Sequence, residues 1–65
     1  WITTQVKSKM LVDGRVKATD VKVISENGEV FLLGTVTHAQ ADAAADIASK
    51  ISGVQKVIKV FKYLN

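Results

Sequence analysis

The 65-residue sequence predicts a single α+β domain with the element order α-β-β-α-β. Three observations support this prediction: an Asn27-Gly28 pair between two β-branched segments, a helix-start motif before an alanine-rich segment, and a final segment rich in valine. The strand–helix–strand order sets the last strand parallel to the second one. We therefore expect a three-stranded mixed sheet with both helices packed on one of its faces.

The opening segment, residues 1–12, predicts the first helix, and Gly14 just beyond it is suited to a left-handed helix end. The start of this helix has two interpretations. Trp1 can open the helix, or Thr3 or Thr4 can be the N-cap residue, which would leave Trp1 outside the helix.

The next two segments predict a β-hairpin. Residues 21–25 alternate apolar and polar side chains, and residues 29–37 are apolar on both faces, which is typical of the central strand of a sheet. The Asn27-Gly28 pair between them favours a tight turn, because both residue types accept positive φ.

A second helix and a third strand complete the predicted domain. Thr37 and Gln40 have the spacing of a capping box, which predicts a helix over about residues 38–51 with Gly53 as its left-handed C-terminal residue. Residues 55–64 combine β-branched and aromatic side chains with lysine at every third position and predict the third strand.

The apolar residues of these elements predict a core between the helices and the sheet. Spacings of three and four residues turn one face of each helix inward, with these residues on it: Ile2, Val6 and Met10 on the first, and Ala44, Ile47, Ala48 and Ile51 on the second. We expect Gly34 in the central strand to leave room beneath the second helix. Two assignments fit the last strand, with either Val57, Phe61 and Tyr63 or Ile58, Val60 and Leu64 facing inward.

Composition excludes several classes of protein. Without cysteine the chain has no disulfide, no thiolate nucleophile and no cysteine-bound metal. Its longest apolar run, residues 30–33, is far below the roughly 20 residues of a membrane-spanning helix. The net charge of +3 permits contact with an anionic surface. Because the chain starts at Trp1 rather than Met, we expect residues 1–65 to be one domain cut from a longer protein.

From the hairpin onward, glycines and apolar residues recur at spacings that resemble the BON domain pattern of bacterial envelope proteins. The matching positions are Gly28, Val30, Leu32, Gly34, Val36, Ala44, Ala48, Gly53, Val54 and Val57. Four stretches, WITT, ENGEVFL, AAADIAS and SGV, are similar to the second BON domain of dual-BON outer-membrane lipoproteins. Lys59 stands where many BON domains have Asn, so no role of that Asn is carried over.

The resemblance implies the α-β-β-α-β fold and a non-enzymatic module of the periplasm or outer membrane. It also implies association with phospholipid, preferably anionic, support of envelope integrity, and no cofactor or catalytic residue. For lipid contact the matching element of this chain is the first helix.

The first helix carries two apolar stripes where a simple globular helix carries one. At 100° per residue, Ile2, Val6 and Met10 fall within an arc of about 80°, and a second stripe lies on the opposite side. The predicted lipid-binding residues are this second stripe, the small residues within it and the lysines beside it: Trp1, Thr4, Lys7, Ser8, Lys9, Leu11 and Val12. The same stripe is also suited to packing against another domain, or to folding back onto this one.

Charged residues elsewhere favour less specific interpretations. His38 and Asp42 are one helical turn apart, but no nucleophile, second acid or metal-ligand set accompanies them, so we expect neither catalysis nor a metal site. Lysines on the last strand, at Lys56, Lys59 and Lys62, are interpreted as protection of a sheet edge, with a basic patch for lipid or nucleic acid as the alternative. The acidic residues interpreted as solvated surface charges are Glu26, Glu29, Asp42 and Asp46.

Two partner classes compete with a membrane. Nucleic acid is disfavoured, because the chain lacks the GXXG loop of KH domains and the aromatic strand signature of RRM domains. A protein partner is the closer alternative. Ile24, Phe31 and Leu33 lie on the sheet face that the helices leave uncovered, which suits an envelope protein, a neighbouring BON domain or a second copy.

Overall fold

The computed structural model describes residues 1–64 and has the predicted α-β-β-α-β order. Its elements are α1 (Ile2–Asp13), β1 (Val21–Glu26), β2 (Glu29–Val36), α2 (His38–Ser49) and β3 (Lys56–Tyr63), with a single 3-10 turn at Ala18–Asp20 before β1. Two helices and a three-stranded mixed sheet form two layers, which confirms the predicted fold class.

The sheet has the strand order β1-β2-β3, so β2 is central as its two apolar faces predicted. β1 pairs with β2 antiparallel through the hairpin, in which Asn27 and Gly28 have φ of 52° and 80°. β3 pairs with β2 parallel after the crossover through α2. This register aligns the side chains of all three strands in rows across the sheet.

Local signals set the ends of α2 unequally well. The Thr37 Oγ1 accepts from the Gln40 backbone N–H at 3.1 Å, and the Thr37 N–H donates to the Gln40 Oε1 at 3.0 Å, which confirms the predicted capping box. The other end was predicted two residues too long, because the helix stops at Ser49. Gly53 has the expected positive φ of 93°, but it lies in the turn that follows the helix.

The core lies between the helices and one face of the sheet. It contains residues from α1, β1, β2, α2 and the segments that connect them, and all of them are apolar: Val6, Met10, Val16, Val21, Val23, Val30, Leu32, Val36, Ala41, Ala43, Ala44, Ile47, Ala48 and Ile51. The predicted inward residues of α1 and α2 belong to this core or, for Ile2, pack against its margin. In β3 the inward assignment falls to Val57 and Phe61, which leaves Ile58 and Val60 on the opposite face of the sheet.

Gly34 has a different role from the predicted one. A Cβ atom at this position would lie 2.1 Å from the backbone carbonyl oxygen of Asp20, and its φ of 142° is itself unfavourable for other residues. The close approach is therefore made by the 3-10 turn that precedes β1, and not by α2. Gly34 lets this turn pack directly on the central strand.

Candidate membrane-binding face on the first helix

α1 is a packed helix with a solvent-facing apolar stripe. Val6 and Met10 are fully buried, whereas the side chains of Trp1, Leu11 and Val12 are 89%, 72% and 86% exposed. The helical winding places the exposed three on the side opposite the buried two. We call this surface, together with Thr4 and Ser8 between them, the outward stripe.

The remaining predicted residues line or flank this stripe. Thr4 and Ser8 are exposed and small, so they leave the apolar side chains accessible along the helix. Lys7 and Lys9 are exposed too, and the helical angles place one lysine on each side of the stripe. All seven predicted lipid-binding residues therefore share one accessible helix surface.

The start of α1 decides between the two sequence-based interpretations. The helix begins at Ile2 with Trp1 as its N-cap residue, and the Trp1 carbonyl oxygen accepts from the Gln5 backbone N–H at 3.1 Å. Neither Thr3 nor Thr4 is the cap. Trp1 is thus held in helical register at the first position of the outward stripe.

Several contacts hold this helix in place. Val6 and Met10 anchor its middle in the core, and the Thr3 Oγ1 lies 2.9 Å from the Ser25 Oγ of β1. At its end Gly14 takes the left-handed conformation with φ of 80°, as predicted, and its N–H donates to the Met10 carbonyl. The outward stripe is therefore carried by a helix that is anchored in the core at its middle and contacts β1 near its start.

An ion-pair cluster that sequence reasoning missed ties the end of α1 to α2. Arg15 donates from Nε to the Asp13 Oδ1 at 2.6 Å and from Nη2 to the Asp46 Oδ2 at 3.2 Å. Lys50 reaches the same Asp46 oxygen at 3.3 Å. Asp46 was predicted to be only a solvated surface charge, and this prediction was wrong, because Asp46 forms ion pairs with Arg15 and Lys50. No sequence signal pairs Arg15 with Asp46, because they are 31 residues apart.

This cluster shifts the titration of its carboxylates. Hydrogen bonds from the Arg15 side chain lower the pKa of Asp13 below its usual value. The pKa of Asp46 is lowered first by the Arg15 hydrogen bond and then by the one from Lys50. The same contacts raise the pKa of Arg15. The cluster lines a cleft of about 290 Å³ between the ends of α1 and α2, and Lys9 and Val12 of α1 also border this cleft.

The other charged candidates are scattered. His38 is exposed and stacks on Tyr63 with 4.0 Å between ring centroids, and the Lys59 Nζ lies 3.6 Å from the Asp42 Oδ1. Within residues 1–64, no three side chains of His, Cys, Asp or Glu converge as metal ligands. In that same range no helix combines the length and apolarity needed to cross a bilayer.

The sequence profile of the BON domain matches residues 1–65. The chain belongs to the BON family. Its fold and its glycine and apolar spacing agree with this assignment, so the expected family resemblance is confirmed.

Three curated relatives place this BON domain among envelope proteins. It is 88% identical over its whole length to the outer membrane lipoprotein DolP of Haemophilus influenzae, covering 34% of that protein. It is 62% identical over 98% of its length to a 21 kDa hemolysin of Actinobacillus pleuropneumoniae, covering 33% of it, and 43% identical over 85% of its length to the osmotically-inducible protein Y of Escherichia coli, covering 28%. The expected outer-membrane-associated, periplasmic location is confirmed by these relatives.

The BON domain spans about a third of these relatives, and none of the three names describes an enzyme. Among solved structures, its fold is similar to that of CdsD, a structural protein of the type III secretion system of Chlamydia trachomatis. The TM-score is 0.75 at 21% identity, covering 97% of this chain and 30% of that one. This likeness concerns the fold alone.

Proposed function

We propose that this BON domain is a non-catalytic module that binds the surface of an anionic phospholipid membrane weakly through the outward stripe of α1. The observation that carries the proposal is the exposure of three large apolar side chains, Trp1, Leu11 and Val12, on a helix whose opposite side is buried. Leaving such side chains in water has no benefit for the fold of this domain. Their exposure is typical of a surface that meets an apolar phase or a partner.

The chemistry of the stripe suits the interface of a bilayer. Indole rings partition to the boundary between headgroups and acyl chains, where the ring is apolar and the N–H remains hydrated. Leu11 and Val12 lie about three helical turns from Trp1, so a helix lying flat would insert both ends of the stripe. Lys7 and Lys9 then lie beside it at the level of lipid phosphates.

The expected affinity is low. Burial of the Trp1 and Leu11 side chains contributes roughly 3–5 kcal/mol, and two or three lysines near an anionic surface add about 1 kcal/mol each. The gross sum of about 5–8 kcal/mol, before ordering costs, corresponds to micromolar-to-millimolar binding at best. A lipid anchor or a second domain in the same protein would raise the avidity. The lipoprotein name of the Haemophilus influenzae relative supports this arrangement, in which membrane contact supports outer-membrane integrity.

The single tryptophan of the chain gives a direct test. Vesicles of phosphatidylglycerol and phosphatidylcholine should shift the Trp1 emission to the blue and carry the domain down in co-sedimentation. Vesicles of phosphatidylcholine alone should do so less, and added salt should weaken the effect because the lysine contribution is screened.

Two variants separate the outward stripe from the rest of the surface. Leu11→Glu should reduce vesicle binding at least about tenfold, since it replaces an apolar side chain that would be buried in the membrane with a charge of the lipid's own sign. Val60→Glu, at a 52% exposed position on the opposite layer, should leave vesicle binding unchanged. Equal binding of the Leu11→Glu variant and the parent chain would instead assign the stripe to a protein or a neighbouring domain.

A further inference from the structure

The sheet face turned away from both helices carries a contiguous apolar surface. The register aligns Ile24, Phe31 and Ile58 in one row across the sheet, and Leu33 and Val60 in the next. Ile24 and Val60 are 41% and 52% exposed, and the other three are half-buried. We call these five residues the open-face patch.

Charged residues surround this patch, with both signs at one end and lysines toward the other. One row beyond Phe31 lie Glu26, Glu29 and Lys56, side by side across the three strands. Lys22 takes the β1 position of the row that contains Leu33 and Val60, and Lys62 lies one row further along β3. Among the side chains of residues 1–64, none of these five takes part in an ion pair. These residues therefore offer both signs of charge to whatever covers the patch.

A two-fold axis parallel to the strands matches most of this face with a second copy of itself. Such an axis lays β1 of one copy over β3 of the other and β2 over β2, which is the aligned packing of two sheets. Ile24 then faces Ile58 of the second copy, and Phe31 and Leu33 each meet their own counterparts. Lys22 lies over Val60 of the second copy, where its alkyl stem can pack while the ammonium group stays in water. Glu26 faces the oppositely charged Lys56, and this pair occurs twice.

The charge pattern also rejects the alternative two-fold arrangement. An axis perpendicular to the strands would place Lys56 of one copy over Lys62 of the other, twice, at the ends of β3. In the parallel-axis arrangement the two Glu29 carboxylates approach each other, but each has Lys56 of its own sheet as its register neighbour. The pattern thus favours one symmetric packing over the other.

We propose that the open-face patch is an isologous interface between two copies of this chain, with the strands of the two sheets aligned. Spacings of about 4.8 Å between strands and about 3.3 Å per residue give this face roughly 400 Å² per copy. That is about half of the roughly 800 Å² per partner of a standard stable interface. The dimer is therefore weak and reversible. The inference is independent of the membrane proposal, because it uses the other layer of the molecule.

Sedimentation equilibrium of the 65-residue chain, in which a buried apolar core joins both helices to the sheet, tests the proposal. The apparent mass should rise above the 7.0 kDa monomer as the concentration approaches about 1 mM. Phe31→Glu, which places two like charges on the two-fold axis, should abolish this rise. Leu11→Glu, on the outward stripe of α1, is the matched control and should leave it unchanged.

Charge reversal tests the geometry without touching the apolar residues. Glu26→Lys and Lys56→Glu should each weaken the dimer about fivefold or more, because each change creates two repulsive contacts. The double variant restores both attractive pairs and should regain dimerisation. Failure of the double variant to recover overturns the proposal.

Other results overturn it as well. Two such results are a monomeric mass at about 1 mM and association that persists in the Phe31→Glu variant. A third is an NMR result in which the amide signals around Phe31 shift only in a longer chain that also contains the neighbouring domain. That last result would assign the open-face patch to an intramolecular partner.

Discussion

The two helices of this domain both have 12 residues, but they differ in how many of these residues are buried and how many face solvent. α2 begins with a complete capping box and buries five residues, whereas α1 has no side-chain cap and buries two. In exchange α1 presents three large apolar side chains to solvent. The difference indicates that most of α2 contributes to the core. α1 contributes to the core with one side and leaves the other side available for an external contact.

The largest effect that tests this division compares two neighbouring residues of α1. Met10→Ala should lower the free energy of unfolding by about 2–5 kcal/mol, because Met10 is fully buried in the core. Leu11→Ala should change it by about 0.5 kcal/mol or less, because its side chain is 72% exposed. Urea denaturation followed by circular dichroism measures both. Comparable losses would mean that the outward stripe contributes to stability after all.

Substitutions at the N-cap residues of the two helices should change the free energy of unfolding in opposite directions. Thr37→Ala removes the Oγ1 that accepts from Gln40 and should cost about 1 kcal/mol. Trp1→Ser supplies a missing cap to α1 and should stabilise the domain by about 0.5–1 kcal/mol. The same Trp1→Ser variant should bind anionic vesicles less well. If Trp1→Ser destabilises the domain, the indole packs against it and the proposed division of α1 fails.

The smallest effect concerns the cluster that joins the two helices. Hydrogen bonds from Arg15 lower the pKa of Asp13 and of Asp46, so their contribution to stability is present above the ordinary aspartate pKa and is lost as the pH falls through the lowered values. Arg15→Ala should therefore make the urea midpoint less sensitive to acidification below about pH 4 than in the parent chain. Lys17→Ala, at a nearby exposed lysine, is the control. Identical acid sensitivity in the Arg15→Ala variant would show that the cluster leaves stability unaffected.

Most of the fold could be predicted because its signals are local. The Asn27-Gly28 turn, the Thr37–Gln40 box and the apolar spacing of α2 each depend on residues within one or two turns of chain. Gly34 was misassigned for the opposite reason. A glycine is required at this position because the Asp20 carbonyl oxygen occupies the space of a Cβ atom. Sequence spacing does not show which distant backbone segment approaches a strand.

The candidate site shows the same limit. The outward stripe follows from helical periodicity alone, so all seven predicted residues lie on one accessible surface. The contact between Arg15 and Asp46 required the tertiary packing of α1 on α2, and the inward face of β3 required knowing which side of the strand meets the helices. What occupies the outward stripe is a property of a second molecule, which the sequence of this one does not contain.

The two-layer architecture gives the proposed contacts a joint consequence. α1 lies on one layer and the open-face patch on the other, so two copies joined through their sheets would carry their α1 helices on opposite outer sides. Such a pair would cross-link two bilayers rather than sit twice on one. Turbidity that develops in a vesicle suspension at high protein concentration, and disappears with Phe31→Glu while the vesicles still bind protein, would be its signature.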